Sequence, residues 1–445
     1  MPHSLKTRVT ELLGCDHPIL QTGMGWVATP ALVAGACNAG AFGFLAAATI
    51  PPDQVAAAIR DIKTRTNRPF GVNFLMDAPG AEVISEAILR EGVRAAGYNR
   101  APNAALIQKL KAGGVVCVPT CGAVKHAVKA EQLGADIIIV QGGEGGGHTG
   151  SVPTTLLASA AADAVKVPIV AAGGFKDGRG LVAALAFGAE AVAMGTRFLM
   201  TQESPVPDVT LARYLGAEVA DVIVSEALDG LPQRMIRNEL SQRLENAGSF
   251  EKLVMAIQNA LALRRETGAT ISELLRSAFA MRRNQKLSNA QMILAANAPI
   301  LARIAMNDGD PVRGYLPSGT VAGVIDDRPT CEVLVKRIVA DVVTTHTDLT
   351  DLQGELPQLA GKTKSAAEAK LEALVDRLHS LVGELTEIGV EIKDFDTGLI
   401  DFVGQHRGHD VCLCWQLGEE KVEFFHEIGV GFAGRQSVAR LEERA

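Results

Sequence analysis

The chain has 445 residues, 47% hydrophobic and 21% charged, the balance of a globular protein and not of a disordered one. A net charge of −7 counts against nucleic acid as a partner. Seven scattered cysteines without a C-x-x-C pair point to a reducing cytoplasm, the first residues hold no apolar signal segment, and no apolar run is long enough to span a membrane.

Short apolar runs at 17–24, 42–47, 70–75, 93–98, 115–120, 137–144, 169–174 and 191–199 read as strands. Between them lie stretches apolar at helical spacing, such as 52–60, 104–112, 124–133, 156–164 and 180–187. Eight strands, each followed by a helix, predict an α/β fold, a (β/α)8 TIM barrel over residues 1–202. An open doubly wound sheet is the alternative. The start of the chain lacks the strand-linked G-x-G-x-x-G that such a sheet would favour. Over 203–345 the pattern turns helical, with helices expected at 240–247, 251–264, 271–281, 289–306 and 330–343. This excursion is expected to form a lid and substrate region over the barrel mouth. Residues 346–445 read as a small α+β module: a polar linker at 346–363, an amphipathic helix over 371–388, and strands at 391–401, 410–416 and 421–426.

The stretch 137–150 carries the strongest chemical signal. A β-branched apolar run empties into a loop with six glycines in nine residues, at 142, 143, 145, 146, 147 and 150. Glycine allows close approach of backbone to ligand, so Gly142, Gly146 and Gly147 join the expected cofactor contacts. His148 is the one imidazole in this loop and the candidate acid or base. Glu144 could orient a partner or stay solvated. Gly173 and Gly174 follow the seventh predicted strand, and Gly195 and Thr196 the eighth. Barrels commonly seat a phosphate there. Gly23 and Gly25 would let the chain around Met24 lie flat against a planar ring, and Asn73 and Gln141 offer amides at the same face. No metal is expected: His406, His409, Cys412, Cys414 and His426 match no common zinc spacing.

In combination, QTGMGW at 21–26, VQGGEGGGHTG at 140–150, VAAGGFKDGRG at 170–180 and AMGTRFL at 193–199 resemble the nitronate monooxygenase family, over about residues 10–343. The resemblance implies FMN as cofactor. It puts the phosphate on Gly173, Gly174, Gly195 and Thr196, the ring against Gly23, Met24, Asn73 and Gln141, and the catalytic imidazole at His148. It also implies oxidation of alkyl nitronates by O2 to carbonyl compounds and nitrite. Two similar groups widen the substrate class: flavin-dependent enoyl-acyl-carrier-protein reductases, and CoA-ester dehydrogenases of steroid-ring breakdown. The expected partners are therefore a nitronate or an acyl thioester, with O2 or another electron acceptor. Basic residues of the lid are candidates for CoA phosphates: Arg234, Arg237, Arg264, Arg265, Arg282, Arg283 and Lys286. Relatives often carry Gln where this chain has Thr320, too short for the same reach. The tail at 389–436 resembles a small bacterial family of unknown function. Whether the stripe at 371–388 packs within the tail or pairs two chains as a homodimer stays open. A flavin-free phosphate-binding barrel is the rival enzyme class, and a scaffold the rival outside enzymes. The loop at 142–150 lacks the cysteine nucleophile that the flavin-free rival would use.

Overall fold

The structure is a computed structural model that describes residues 5–99, 102–248, 289–360, 391–396, 399–406, 409–417 and 422–428. Eight parallel strands close a barrel: β1 (Ile19–Gln21), β2 (Phe42–Ala46), β3 (Gly71–Leu75), β4 (Ala95–Asn99), β5 (Val116–Cys121), β6 (Ile138–Gln141), β8 (Ile169–Ala172) and β9 (Ala191–Met194). β7 (Gly147–His148) lies outside the ring. Closure is made where β9 pairs with β1, with Leu20 opposite Ala193.

The strands are short and apolar because both faces are buried. Inward-facing Leu20, Phe42, Phe44, Val118, Ile139 and Val170 fill the ring. Phe42 and Phe44 meet edge to face at 5.1 Å. A helix at Arg8–Leu13 closes the amino-terminal end of the barrel with Val9 and Leu13, both fully buried. Each such side chain contributes roughly 1.5–3 kcal/mol. Outward-facing residues pack under the helices, among them Ala104–Ala112 and Val124–Gln132.

Four strands, β1, β6, β8 and β9, end two or more residues earlier than periodicity suggests. β1 stops at Gln21 and β6 at Gln141, because glycine-rich loops take over at Gly23 and Gly142. The run 191–199 is a strand only to Met194; Thr196–Leu199 is a helical turn.

The region after β9 is not purely helical, which corrects the expectation. β10 (Val222–Ser225) and β11 (Gln233–Ile236) form an antiparallel ribbon, and β11 also pairs with β7, His148 opposite Gln233. Val222–Ser225 ends in Ser and Gln233–Ile236 opens with Gln and Arg, so neither carries the unbroken apolar run that marks the barrel strands. Helices follow at Glu239–Asn246, capped by the Asn238 side chain, and at Asn289–Met306. The expected helices at 251–264 and 271–281 lie outside the described residues. The final helix runs Cys331–Ala360, through the stretch read as a polar linker. The helix continues past this polar stretch and through Gly354 and Pro357.

The chain divides into two compact units, Met1–Asp348 and Leu349–Ala445. The second contains an antiparallel meander of four strands, Glu391–Asp396, Leu399–His406, His409–Leu417 and Val422–Ile428, where three were expected. The expected helix at 371–388 lies outside the described residues.

Arg197, from the AMGTRFL motif, is buried and donates to Asp327 at 2.7 Å. The Asp327 carboxyl loses ionised character to burial, but Arg197 and Arg337 outweigh this and hold it below its ordinary range. Its stabilisation is therefore full above the ordinary carboxyl range and lost as pH falls through the lower folded value. Asp327→Asn should cost about 2 kcal/mol, below the usual cost of stranding a buried charge because Asp327 is partly exposed. Thermal melts from pH 7 down to pH 3 check this: the variant's deficit should shrink towards the acid end.

Candidate active site

The carboxyl ends of the barrel strands surround a cleft of about 290 Å³. Gly23, Met24, Gly25, Asn73, Gln141, Gly146, Gly147, His148, Gly173, Gly174, Gly195 and Thr196 all line it. Gly142 is not among the lining residues. A Cβ there would lie 2.2 Å from the Thr154 hydroxyl, so Gly142 serves close packing of the loop onto the next helix. Thr22, Asn99, Thr120 and Phe175 also line the cleft and were not anticipated.

The glycines keep the walls bare. Gly173 and Gly174 take φ of 109° and 84°, the left-handed region that side chains avoid. A Cβ at Gly23 would sit 2.4 Å from that of Asn73. Thr196 opens the helical turn Thr196–Leu199, while its hydroxyl accepts from the Gly319 amide at 3.0 Å. Two bare turns after β8 and β9 thus face the same cleft as the bare loop after β1. This donor set fits a flat coenzyme with a phosphate at one end.

Trp26 holds the rim. Its φ of 66° is the one left-handed non-glycine conformation among the described residues, a strain on the order of 1–2 kcal/mol. Its indole donates to the Pro299 carbonyl at 2.8 Å, joining the loop after β1 to the helix Asn289–Met306.

His148 does not act alone. Its Nε2 is 2.8 Å from Oδ2 of Asp229, whose side chain is only 3% exposed against 48% for the imidazole. A carboxylate can only accept, so Nε2 carries the proton and Nδ1 keeps its lone pair. Gln233 donates to the same Asp229 oxygen at 2.5 Å, and the Tyr315 hydroxyl donates to Gln233 at 2.6 Å. The Leu231 amide holds the other Asp229 oxygen at 3.0 Å. The 3.3 Å approach of Gln233 to His148 is two donors converging on one acceptor. Sequence reading missed Asp229, Gln233 and Tyr315. The only signal was the turn-forming run Asp229-Gly-Leu-Pro-Gln233, which periodicity does not mark.

Gln141 donates to the His148 carbonyl at 3.0 Å, fixing the loop under the imidazole. Glu144 lines the cleft, and its Oε2 accepts from the Thr154 amide at 2.9 Å and hydroxyl at 2.6 Å, at the start of the helix Thr154–Ala164. Arg234 donates to the Gly143 carbonyl at 2.9 Å, and burial lowers the proton affinity of its guanidinium against the pull of Glu144. It is therefore committed to the loop. Arg237 is exposed; Arg264, Arg265, Arg282, Arg283 and Lys286 lie outside the described residues. Thr320 meets the loop through its backbone, its amide donating to the Glu144 carbonyl at 3.0 Å.

The turn at 317–325 packs against the cleft loop at Gly146. A Cβ there would lie 2.6 Å from the Ser318 carbonyl carbon. Gly146→Ala should push this turn away, costing roughly 1–3 kcal/mol. The expected result is at least tenfold weaker retention of flavin, read from the visible-to-ultraviolet absorbance ratio.

Residues 6–341 match the family model described as nitronate monooxygenase, and residues 331–438 match one described as an uncharacterized conserved protein. A Rhodococcus jostii (strain RHA1) protein named (3aS,4S,5R,7aS)-5-hydroxy-7a-methyl-1-oxo-octahydro-1H-indene-4-carboxyl-CoA dehydrogenase is 50% identical over 340 residues, covering 76% of this chain and 96% of that relative. A probable nitronate monooxygenase of Staphylococcus saprophyticus is 31% identical, covering 59% of this chain and 87% of its own. The solved structure of FabK from Thermotoga maritima is 31% identical, with a TM-score of 0.64, covering 78% of this chain and 99% of that one. Fold, cleft and relatives define a flavin-dependent oxidoreductase on a (β/α)8 barrel. The chain belongs to the nitronate monooxygenase family.

Proposed function

We propose that this protein is an FMN-dependent dehydrogenase of acyl-CoA esters. The observation that carries the reading is the 50% identity across 96% of a relative named for a carboxyl-CoA substrate. The site chemistry agrees with it. A thioester acidifies the C–H beside its carbonyl, and a positioned imidazole is suited to remove that proton.

In this reading Nδ1 of His148 takes the proton, since Nε2 is engaged by Asp229. Asp229 then stabilises the imidazolium, and Gln233, held by Tyr315, keeps the carboxylate aligned. When bound, FMN supplies the two-electron acceptor for the hydrogen lost from the adjoining carbon. Gly173, Gly174, Gly195 and Thr196 would hold its phosphate; Gly23, Met24, Gly25, Asn73 and Gln141 would contact its ring. The turn at 317–325 limits water over the reacting carbon.

Nitronate oxidation with O2 is the second reading, supported by the family model over 6–341. The test sets the two side by side on one preparation. Cofactor released by heat should have the mass of FMN. Alicyclic acyl-CoA esters should bleach the flavin absorbance under argon within seconds. Oxygen uptake with propyl nitronate and no bleaching by any acyl-CoA would move the assignment to the second reading.

A further inference from the structure

A second cavity, also of about 290 Å³, lies on the outer side of the barrel wall. It is walled by β4 and β5 and by the helices Ala104–Ala112 and Val124–Gln132. Tyr98, Pro119, Cys121, Ile107 and Leu133 make it largely apolar. Asn99 and Thr120 line both this cavity and the catalytic cleft, so only the strand ends separate them.

Three features point to a ligand. Tyr98 is 2% exposed, yet its phenol oxygen has no hydrogen-bond partner among the described residues. Leaving a buried hydroxyl unpaired costs about 1–3 kcal/mol, a penalty that a bound polar group would offset. Burial also keeps this phenol protonated, raising it above its ordinary range, so it remains a donor. Second, Tyr98, Pro102 and Pro119 line the cavity with ring side chains, a wall suited to stacking or packing against an apolar ring. Third, His126 and Lys129 line the cavity and are exposed, and Lys129 has no ion pair among the described residues. That rim is suited to an anion.

We propose that this cavity is a second binding site for a hydroxylated ring carboxylate. The ring fills the apolar interior, the ligand hydroxyl pairs with Tyr98, and the carboxylate sits at Lys129 and His126. The site does not depend on the acyl-CoA reading, and none of Tyr98, His126 and Lys129 lines the catalytic cleft.

The test is calorimetric titration of the flavin-loaded full chain with para-hydroxyphenylpropionate, and with phenylpropionate as the analogue lacking the hydroxyl. The hydroxylated acid should bind at one site, about 3–10-fold tighter than the analogue, the worth of one neutral hydrogen bond. Tyr98→Phe should abolish that preference. Lys129→Glu, an exposed change with little risk to folding, should weaken both acids several-fold and flatten their salt dependence. Absence of saturable binding, equal affinity for the two acids, or indifference to both substitutions would overturn the proposal.

Discussion

Replacing His148 by alanine should leave the purified protein yellow while turnover falls about a hundred- to ten-thousand-fold, the usual worth of a positioned general base. The colour should persist because the glycines that bare the cleft walls are untouched. The turnover should fall because no other imidazole among the described residues lines the cleft. Nearby Glu144 is held in place, its Oε2 accepting from both the Thr154 amide and hydroxyl. The measurement is kcat/KM with the substrate that bleaches the flavin, together with flavin content per chain. An unchanged kcat would remove His148 from the reaction.

Asp229→Asn is the second large effect, and its cause is different. The carboxylate accepts from Nε2 and thereby keeps the lone pair on Nδ1. An amide in the same place can donate to Nε2 and drive the proton onto Nδ1, the nitrogen that should be free. In the serine-protease triad the corresponding exchange costs on the order of 10⁴ in kcat. Here the loss should be about 10²–10³, because the imidazole is half exposed and retains freedom to turn. KM and flavin content should stay near their starting values, which separates tautomer control from a damaged cleft. Asp229→Glu keeps the acceptor and should recover part of the rate. Equal losses in the amide and the longer acid would mean that Asp229 only supports packing.

The sequence made the barrel readable because burial on both faces of a parallel strand leaves unbroken apolar runs, and all eight lie where those runs lie. The late glycine turns were readable because β8 and β9 bring Gly173 and Gly195 to one rim by the geometry of barrel closure. Strand ends were less readable. Phe198 and Leu199 extend the apolar signal of the strand, but residues 196–199 wind into a helical turn after Gly195. The partner of His148 was hidden for a further reason. Asp229 is 81 residues away in sequence, and the ribbon that delivers it has strands of four residues. No local period could announce a pairing made only in three dimensions. Glu144 was ambiguous because a carboxylate in a glycine loop looks the same whether it faces substrate or a helix start.

His148 is carried by a strand whose neighbour belongs to the excursion after the barrel. Attempts to retune substrate choice by transplanting that excursion from another family member would therefore replace the acid behind the base along with the specificity loops. A graft that keeps residues 229–236 and exchanges only the segment from Arg237 onward should alter selectivity without silencing the enzyme.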